Sequence, residues 1–392
     1  MKKKWYHILL MLIGIVTLLP VGYNCIMSGE MVTEWIARVD GLASGLREGT
    51  LYLFPSAADG VDSDLWFLFS GIMFSLWGNI THVYDVSMFL LQAGTLLTSV
   101  SLFQRVFADR ETKLPAFFGT LLYMTCPYRI YLCYDLGDIP QAVVWMLLPL
   151  YIRAMAEVAG TGKKWAAVAV ASLALAGIGY AEAFFFLLMA GASILAGAIW
   201  RKAWCFLPVA VGGVLFLPGA CRIAQAVSMG VFREMDLSAR SVMDDGYRLG
   251  EFARSYFFRS GHPGMGMGML ICLLTGIWLV FVDGKKEHHK WCRPAVIASI
   301  CFAIPALYGF PWQLFGSMEG WLWKMLAAAG GPAVFWGMAC QCLCVPAACA
   351  MDRIGRHENK FLAFAVPLTA AVTCMGLCVY QCNMLGYGRM PL

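Results

Sequence analysis

The chain has 392 residues, of which 60% are apolar and 14% charged, with a formal net charge of +5. Soluble domains carry roughly 25% charged residues, which excludes that class, and a small, dispersed basic excess excludes a nucleic-acid-binding domain. Apolar runs of about 20 residues recur from end to end, so disorder and small disulfide scaffolds are excluded too.

Met1-Lys2-Lys3-Lys4 precedes an apolar run from Trp5 to Val21. No small-x-small cleavage site follows, so the run reads as a retained first membrane helix with its lysines in the cytoplasm. After Glu30, the apolar residues Val32, Trp35, Ile36, Val39, Leu42, Ala43 and Leu46 fall at helical spacing, and the helix is expected to stop near Gly49. Its polar side carries Glu34, Arg38, Asp40, Ser44, Arg47 and Glu48. One reading is a surface helix resting on the bilayer with a solvated charged face. The other is that an acid near its start faces a membrane cavity as a general base. Leu65–Trp77 is apolar but spans only 13 residues, so it is read as a helix lying in the outer membrane surface.

Clusters of Lys and Arg mark the cytoplasmic loops: residues 2–4, 105–113, 153–164, 201–202, 285–293 and 353–360. Eleven crossings fit between them, at 5–27, 82–104, 114–130, 139–157, 165–180, 183–200, 203–224, 264–282, 294–310, 331–351 and 361–384. The chain is thus an all-α polytopic membrane protein forming a single integral membrane domain over residues 1–392. Its N-terminus is inside and its C-terminus outside. The long loops 28–81 and 227–263, with the medium loop 311–330, are all on the outer face. In the second long loop, Leu249, Phe252, Ala253, Tyr256 and Phe257 form another interfacial stripe.

The inner set holds 18 basic residues, 11 of them Lys, and carries +11; the outer remainder carries −6. Ten of the eleven outer basic residues are Arg, whose fork matches phosphate oxygens better than a Lys point charge. Arg129 and Arg222 lie at outer helix ends, where a charge is costly and suited to binding a lipid phosphate. Pairing of the loop arginines with Glu234, Asp236, Asp244, Asp245 and Glu251 is the plainer alternative.

The fifteen cysteines sit mostly in apolar helices and read as packing. Cys374, Cys378 and Cys382 share a helix face and Cys340, Cys342 and Cys344 alternate, but no His accompanies either set. Gly264, Gly266 and Gly268 follow no strand, so no dinucleotide site is implied. His262 is a lone loop histidine, and Asn79-Ile80-Thr81 fits a glycosylation sequon. There is no Ser-His-Asp set, HExxH motif or P-loop. No metal is assigned, and any cofactor is left open.

The order of first helix, amphipathic outer helix, in-plane apolar helix and multi-helix bundle resembles the module of GT-C membrane glycosyltransferases. More narrowly, three stretches resemble YfhO-like bacterial polytopic proteins, also labelled 6-pyruvoyl-tetrahydropterin-synthase-related. They are Ala37-Arg38-Val39-Asp40-Gly41-Leu42, the run Leu121-Leu122-Tyr123 through Pro127-Tyr128-Arg129-Ile130-Tyr131 to Leu148-Pro149-Leu150, and Phe310-Pro311-Trp312. The family carries an Asp and a His near positions where Met31 and Trp35 stand here, so the nearest acids are Glu30 and Glu34.

The resemblance implies a GT-C-like bundle in the bacterial cytoplasmic membrane, transferring sugar from a polyprenyl-phosphate carrier at the outer face. Glu30, Glu34 or Asp40 would then be the base, and Arg38, Arg129, Arg222 and Trp312 would bind substrate. Two alternatives stay open. One is a lipid or polysaccharide transporter, against which the lack of a midplane ionisable pair counts. The other is a non-catalytic member acting as an assembly partner, which the substituted Asp and His favour.

Overall fold

The computed structural model describes residues 3–22, 32–49, 65–110, 112–161, 246–252, 263–283, 291–312 and 331–387. Among them the elements are α1 (Lys3–Gly22), α2 (Val32–Arg47), α3 (Leu65–Trp77), α4 (Ile80–Val106), α5 (Leu114–Met124) and α6 (Pro127–Ile130). A π-helical turn (Tyr131–Leu136) leads into α7 (Ile139–Thr161). There follow α8 (Leu249–Phe252), α9 (Met267–Asp283), α10 (Cys292–Ala306), α11 (Ala333–Ile354) and α12 (Lys360–Tyr387).

Three helices among the described residues are long and apolar enough to cross a membrane, at Ile80–Val106, Ala333–Ile354 and Lys360–Tyr380. Tyr6–Leu18, Leu114–Met124, Gln141–Ala154, Met267–Phe281 and Cys292–Ala306 are shorter apolar helices. The described residues are helical, an arrangement compatible with an all-α polytopic membrane protein. The expected crossings 165–180, 183–200 and 203–224 lie outside the described residues, as does most of the loop 227–263.

Three of the basic clusters expected in the cytoplasm, at 105–113, 153–164 and 353–360, gather at one end of the bundle. Glu157, at the end of α7, is buried and binds Arg153 at 3.1 Å and Arg105 of α4 at 3.6 Å. Asp352, near the end of α11, is also buried; it bonds Arg356, lies 4.0 Å from Arg110, and accepts from the Thr112 hydroxyl at 2.6 Å. Each carboxylate ties together basic residues from two different inner clusters. Tyr6 reaches the same end of α4, where its hydroxyl accepts from Gln104 Nε2 at 3.1 Å.

The opposite end is built from residues expected outside. Asn79 caps α4 there, its Oδ1 accepting from the Thr81 and His82 amides at 3.0 and 3.3 Å. An Asn cap of this kind contributes about 1 kcal/mol, which accounts for Asn79 without glycosylation.

Helix α2 begins and ends where its periodicity says, with Gly49 just beyond it at φ +69°. Val32, Trp35, Val39 and Ala43 are all buried. They pack on α3 and α4 rather than on lipid: the Trp35 and Tyr84 rings meet edge to face at 5.2 Å, and Gly71 of α3 comes close to Leu42. Asp40 and Arg47 stay exposed on the other side, where Arg47 lies over the Phe74 ring.

The expected crossing over 114–130 takes a different form. Helix α5 has 11 residues, about 16 Å of rise, too little to span hydrocarbon by itself, so this segment is broken rather than one continuous membrane helix. Pro127 causes the break, because a residue preceding proline is pushed out of the helical region and Cys126 is extended at ψ 124°. The chain then makes one helical turn, the π turn, and a left-handed Gly137 at φ +69° before α7. Residues 115–124 are buried on every side, so α5 is the central strut, packed against α4 and α11.

Candidate functional site

The break after α5 places Arg129 inside the protein, at 2% exposure. Its NH1 donates to the Met124 carbonyl at 2.8 Å, one of the acceptors orphaned when α5 ends. Its NH2 donates to Gln92 Oε1 from the middle of α4. Among the described residues no carboxylate forms an ion pair with Arg129. Gln92 is also buried; its Nε2 faces the Cys133 thiol, a weak acceptor. The centre therefore holds a desolvated cation next to an amide donor that faces a thiol, an arrangement that favours anions.

The rest of the turn is pinned around this centre. The Tyr134 hydroxyl donates to the Thr17 carbonyl of α1, and the Tyr123 hydroxyl donates to the Trp145 carbonyl of α7 at 2.5 Å. Asp138 Oδ1 accepts from the Gln141 amide at 3.0 Å, capping α7. Tyr128 rests edge to face on Trp145, with centroids 5.5 Å apart, and its other side meets Gly337 of α11. Helices α1, α4, α7 and α11 thus all hold one Pro-Tyr-Arg turn.

An aromatic wall closes the same end. Tyr247 exchanges backbone hydrogen bonds with Ala306 and Tyr308, at 2.7 and 2.8 Å, and its hydroxyl donates to the Pro263 carbonyl at 3.1 Å. Burial pushes the Tyr247 phenol well above the usual tyrosine range, so it stays protonated as that donor. Phe252 stacks on Tyr247 at 5.5 Å and lies tilted against Trp336 at 4.2 Å, and Tyr247 and Trp336 themselves approach to 5.9 Å. Trp312 is buried against Phe310 and Phe335, at 4.7 and 5.4 Å. Leu249, expected on the apolar stripe, is exposed instead, and Phe252 alone of its described residues turns inward.

Among the described residues, the sequence-derived site residues Arg38, Asp40, Arg129 and Trp312 sit in separate places. Asp40 is exposed on α2 and Arg38 is half-buried there, whereas Arg129 points into the core toward α4. Glu34 lies in the first turn of α2, and Glu30, Arg222 and His262 lie outside the described residues. Trp312 sits in the aromatic wall. What joins these regions is packing: Trp35 and Val39 of α2 share one hydrophobic cluster with Tyr128, Ile130 and Trp312. Gln92 was missed by sequence reasoning. A Gln in the apolar run Leu90-Leu91-Gln92-Ala93 was the available signal, because a polar side chain at membrane depth needs a partner.

Among the described residues, no group of three or more His, Cys, Asp or Glu is placed to hold a metal ion. No protein-family model matches the chain, and no curated protein matches it significantly. A functional reading rests on the residues and their geometry.

Proposed function

We propose that the protein is a GT-C-like glycosyltransferase of the bacterial cytoplasmic membrane, with eleven crossings, its N-terminus inside and its C-terminus outside. It uses a polyprenyl-phosphate-linked sugar at the outer face. The acceptor hydroxyl attacks the anomeric carbon while Glu30, Glu34 or Asp40 takes its proton. The bond from the anomeric carbon to the phosphate oxygen breaks with inversion, and polyprenyl phosphate leaves with the electron pair. Arg38, Arg129, Arg222 and Trp312 bind the donor.

The observation that carries this reading is the Arg129–Gln92 centre: a buried cation whose partners among the described residues are neutral acceptors, beside an amide that faces the Cys133 thiol. An uncompensated buried charge costs several kcal/mol, and a lipid phosphate entering at the broken helix would offset it. The test uses full-length protein in proteoliposomes containing polyprenyl-phosphate sugar and acceptor. Release of polyprenyl phosphate is expected from the wild type, and a fall of at least about a hundredfold in the Glu30→Ala/Glu34→Ala/Asp40→Ala variant, as general-base loss implies. Unchanged release from the triple variant would remove the acids from the mechanism.

A second reading, a non-catalytic assembly partner, is favoured by one fact. The cavity beside the Pro127 turn is lined by no carboxylate and no arginine. Under that reading the wild type releases no polyprenyl phosphate.

A further inference from the structure

The small cavity beside Pro127 has an unusual lining. Its volume is about 20 Å³, room for a single small ion or water, and its walls include Thr125, Cys126, Met265, Met269, Cys374 and Cys378. Every side-chain heteroatom among these six is a sulfur except the Thr125 hydroxyl, which donates to the Leu121 carbonyl at 2.8 Å. Cys374 and Cys378 stand four residues apart on α12, and both are buried.

Opposite them runs Met265-Gly266-Met267-Gly268-Met269, where α9 begins. The two glycines let this backbone close on Cys374 and Pro127. A Cβ at Gly268 would overlap Cys374 Sγ, and one at Gly266, at φ +82°, would lie 2.9 Å from Pro127 Cγ. With no side chain at either position, the alternating thioethers come up to the cavity. The positive end of the α9 dipole lies on the same side, where it favours a thiolate.

We propose that this cavity is a binding site for a soft monovalent cation, Cu(I), held by one or both of Cys374 and Cys378 with Met265 and Met269. Thiolate and thioether ligands select Cu(I), whereas Mg²⁺ and Ca²⁺ require oxygen ligands that this lining lacks. Zinc takes four nitrogen, sulfur or carboxylate ligands and does not use thioethers. Binding breaks one S–H bond and forms one S–Cu bond, and the proton leaves to solvent with no change in oxidation state. One thiolate plus Cu(I) is neutral, so the site adds no net charge to a low-dielectric interior. Met267, 37% exposed, marks the edge of the cavity nearest solvent or lipid.

The chain offers its own control. Cys292 and Cys349 lie 3.1 Å apart between α10 and α11, toward the end that holds Asp352, with no methionine among the partners shown for them. The test titrates full-length reduced protein in detergent with Cu(I) under a bicinchoninate competitor, and with Ag(I) as a redox-stable probe. Alkylation mapped by mass spectrometry reports which thiols are covered. The proposal expects one tightly held equivalent, protection of Cys374 and Cys378, and at least a tenfold loss of affinity in Met265→Leu/Met269→Leu, which preserves volume. Cys374→Ala/Cys378→Ala should lose the tight equivalent altogether. Protection confined to Cys292 and Cys349, or affinity unchanged in the methionine variant, would overturn it. Because the footprint is read on wild-type protein, a cysteine variant that fails to fold leaves the proposal equally exposed.

Discussion

Arg129→Ala is expected to lower stability by about 3–5 kcal/mol, the largest effect of any single polar substitution in the described core. Two acceptors lose their donor at once: the Met124 carbonyl at the end of α5 and Gln92 Oε1 in α4. Each orphaned buried group costs about 1–3 kcal/mol, and the emptied volume adds a cavity term. Removing a buried cation also relieves a desolvation cost, so the two effects oppose one another. Arg129→Met separates them: it removes the charge but largely fills the space, and should recover about half of the loss. Arg129→Lys keeps the charge but replaces a planar fork with a point charge that cannot span both acceptors. It should melt closer to Ala than to the wild type. The check is the thermal midpoint of the detergent-solubilised protein, followed by helix content. A lysine variant as stable as the wild type would show that charge, and not the bracket between α4 and α5, holds the turn.

Gly337→Val is expected to cost about 3 kcal/mol, at the upper end of the overpacking range. A Cβ at Gly337 would overlap the Tyr128 ring, with Cε1 only 2.7 Å away. The ring cannot retreat, because Trp145 lies against it and Tyr128 is 2% exposed. Combining Gly337→Val with Tyr128→Leu should cost less than the sum of the two, as contacting residues couple. The contrast is Gly376 in α12, where an added Cβ meets nothing within 4 Å. Gly376→Ala should be neutral or stabilise by up to about 1 kcal/mol through helix propensity alone. If both glycine substitutions behave alike, the close approach of α11 to the Pro-Tyr-Arg turn does not exist.

Element positions were legible where periodicity or length was strong. The stripe from Val32 to Leu46 marked α2, and the 13-residue, mostly apolar run of α3 stood between recognisable breaks. What periodicity could not say is what covers a stripe: Trp35 and Val39 meet α3 and α4, not the bilayer. Likewise the apolar run over 114–130 hid a break, although Pro127 announced it, because hydropathy does not register backbone angles. Arg129 was singled out as a charge at a helix end. Its partners were not legible, because Gln92 lies 37 residues away and only the fold brings them together. The clusters at 105–113, 153–164 and 353–360 do share one end. Glu157 and Asp352 join it across distant loops, a pairing that net charge alone does not specify.

The central claim, sugar transfer at the outer face, is tested most directly by the cell-surface glycan profile of a strain lacking this protein. Complementation with the wild type should restore a missing or truncated glycan. The Glu30→Ala/Glu34→Ala/Asp40→Ala variant, expressed at wild-type level in the membrane, should not restore it. A glycan profile unchanged by the deletion would contradict glycosyl transfer. Full restoration by the triple-acid variant would contradict the assignment of its base.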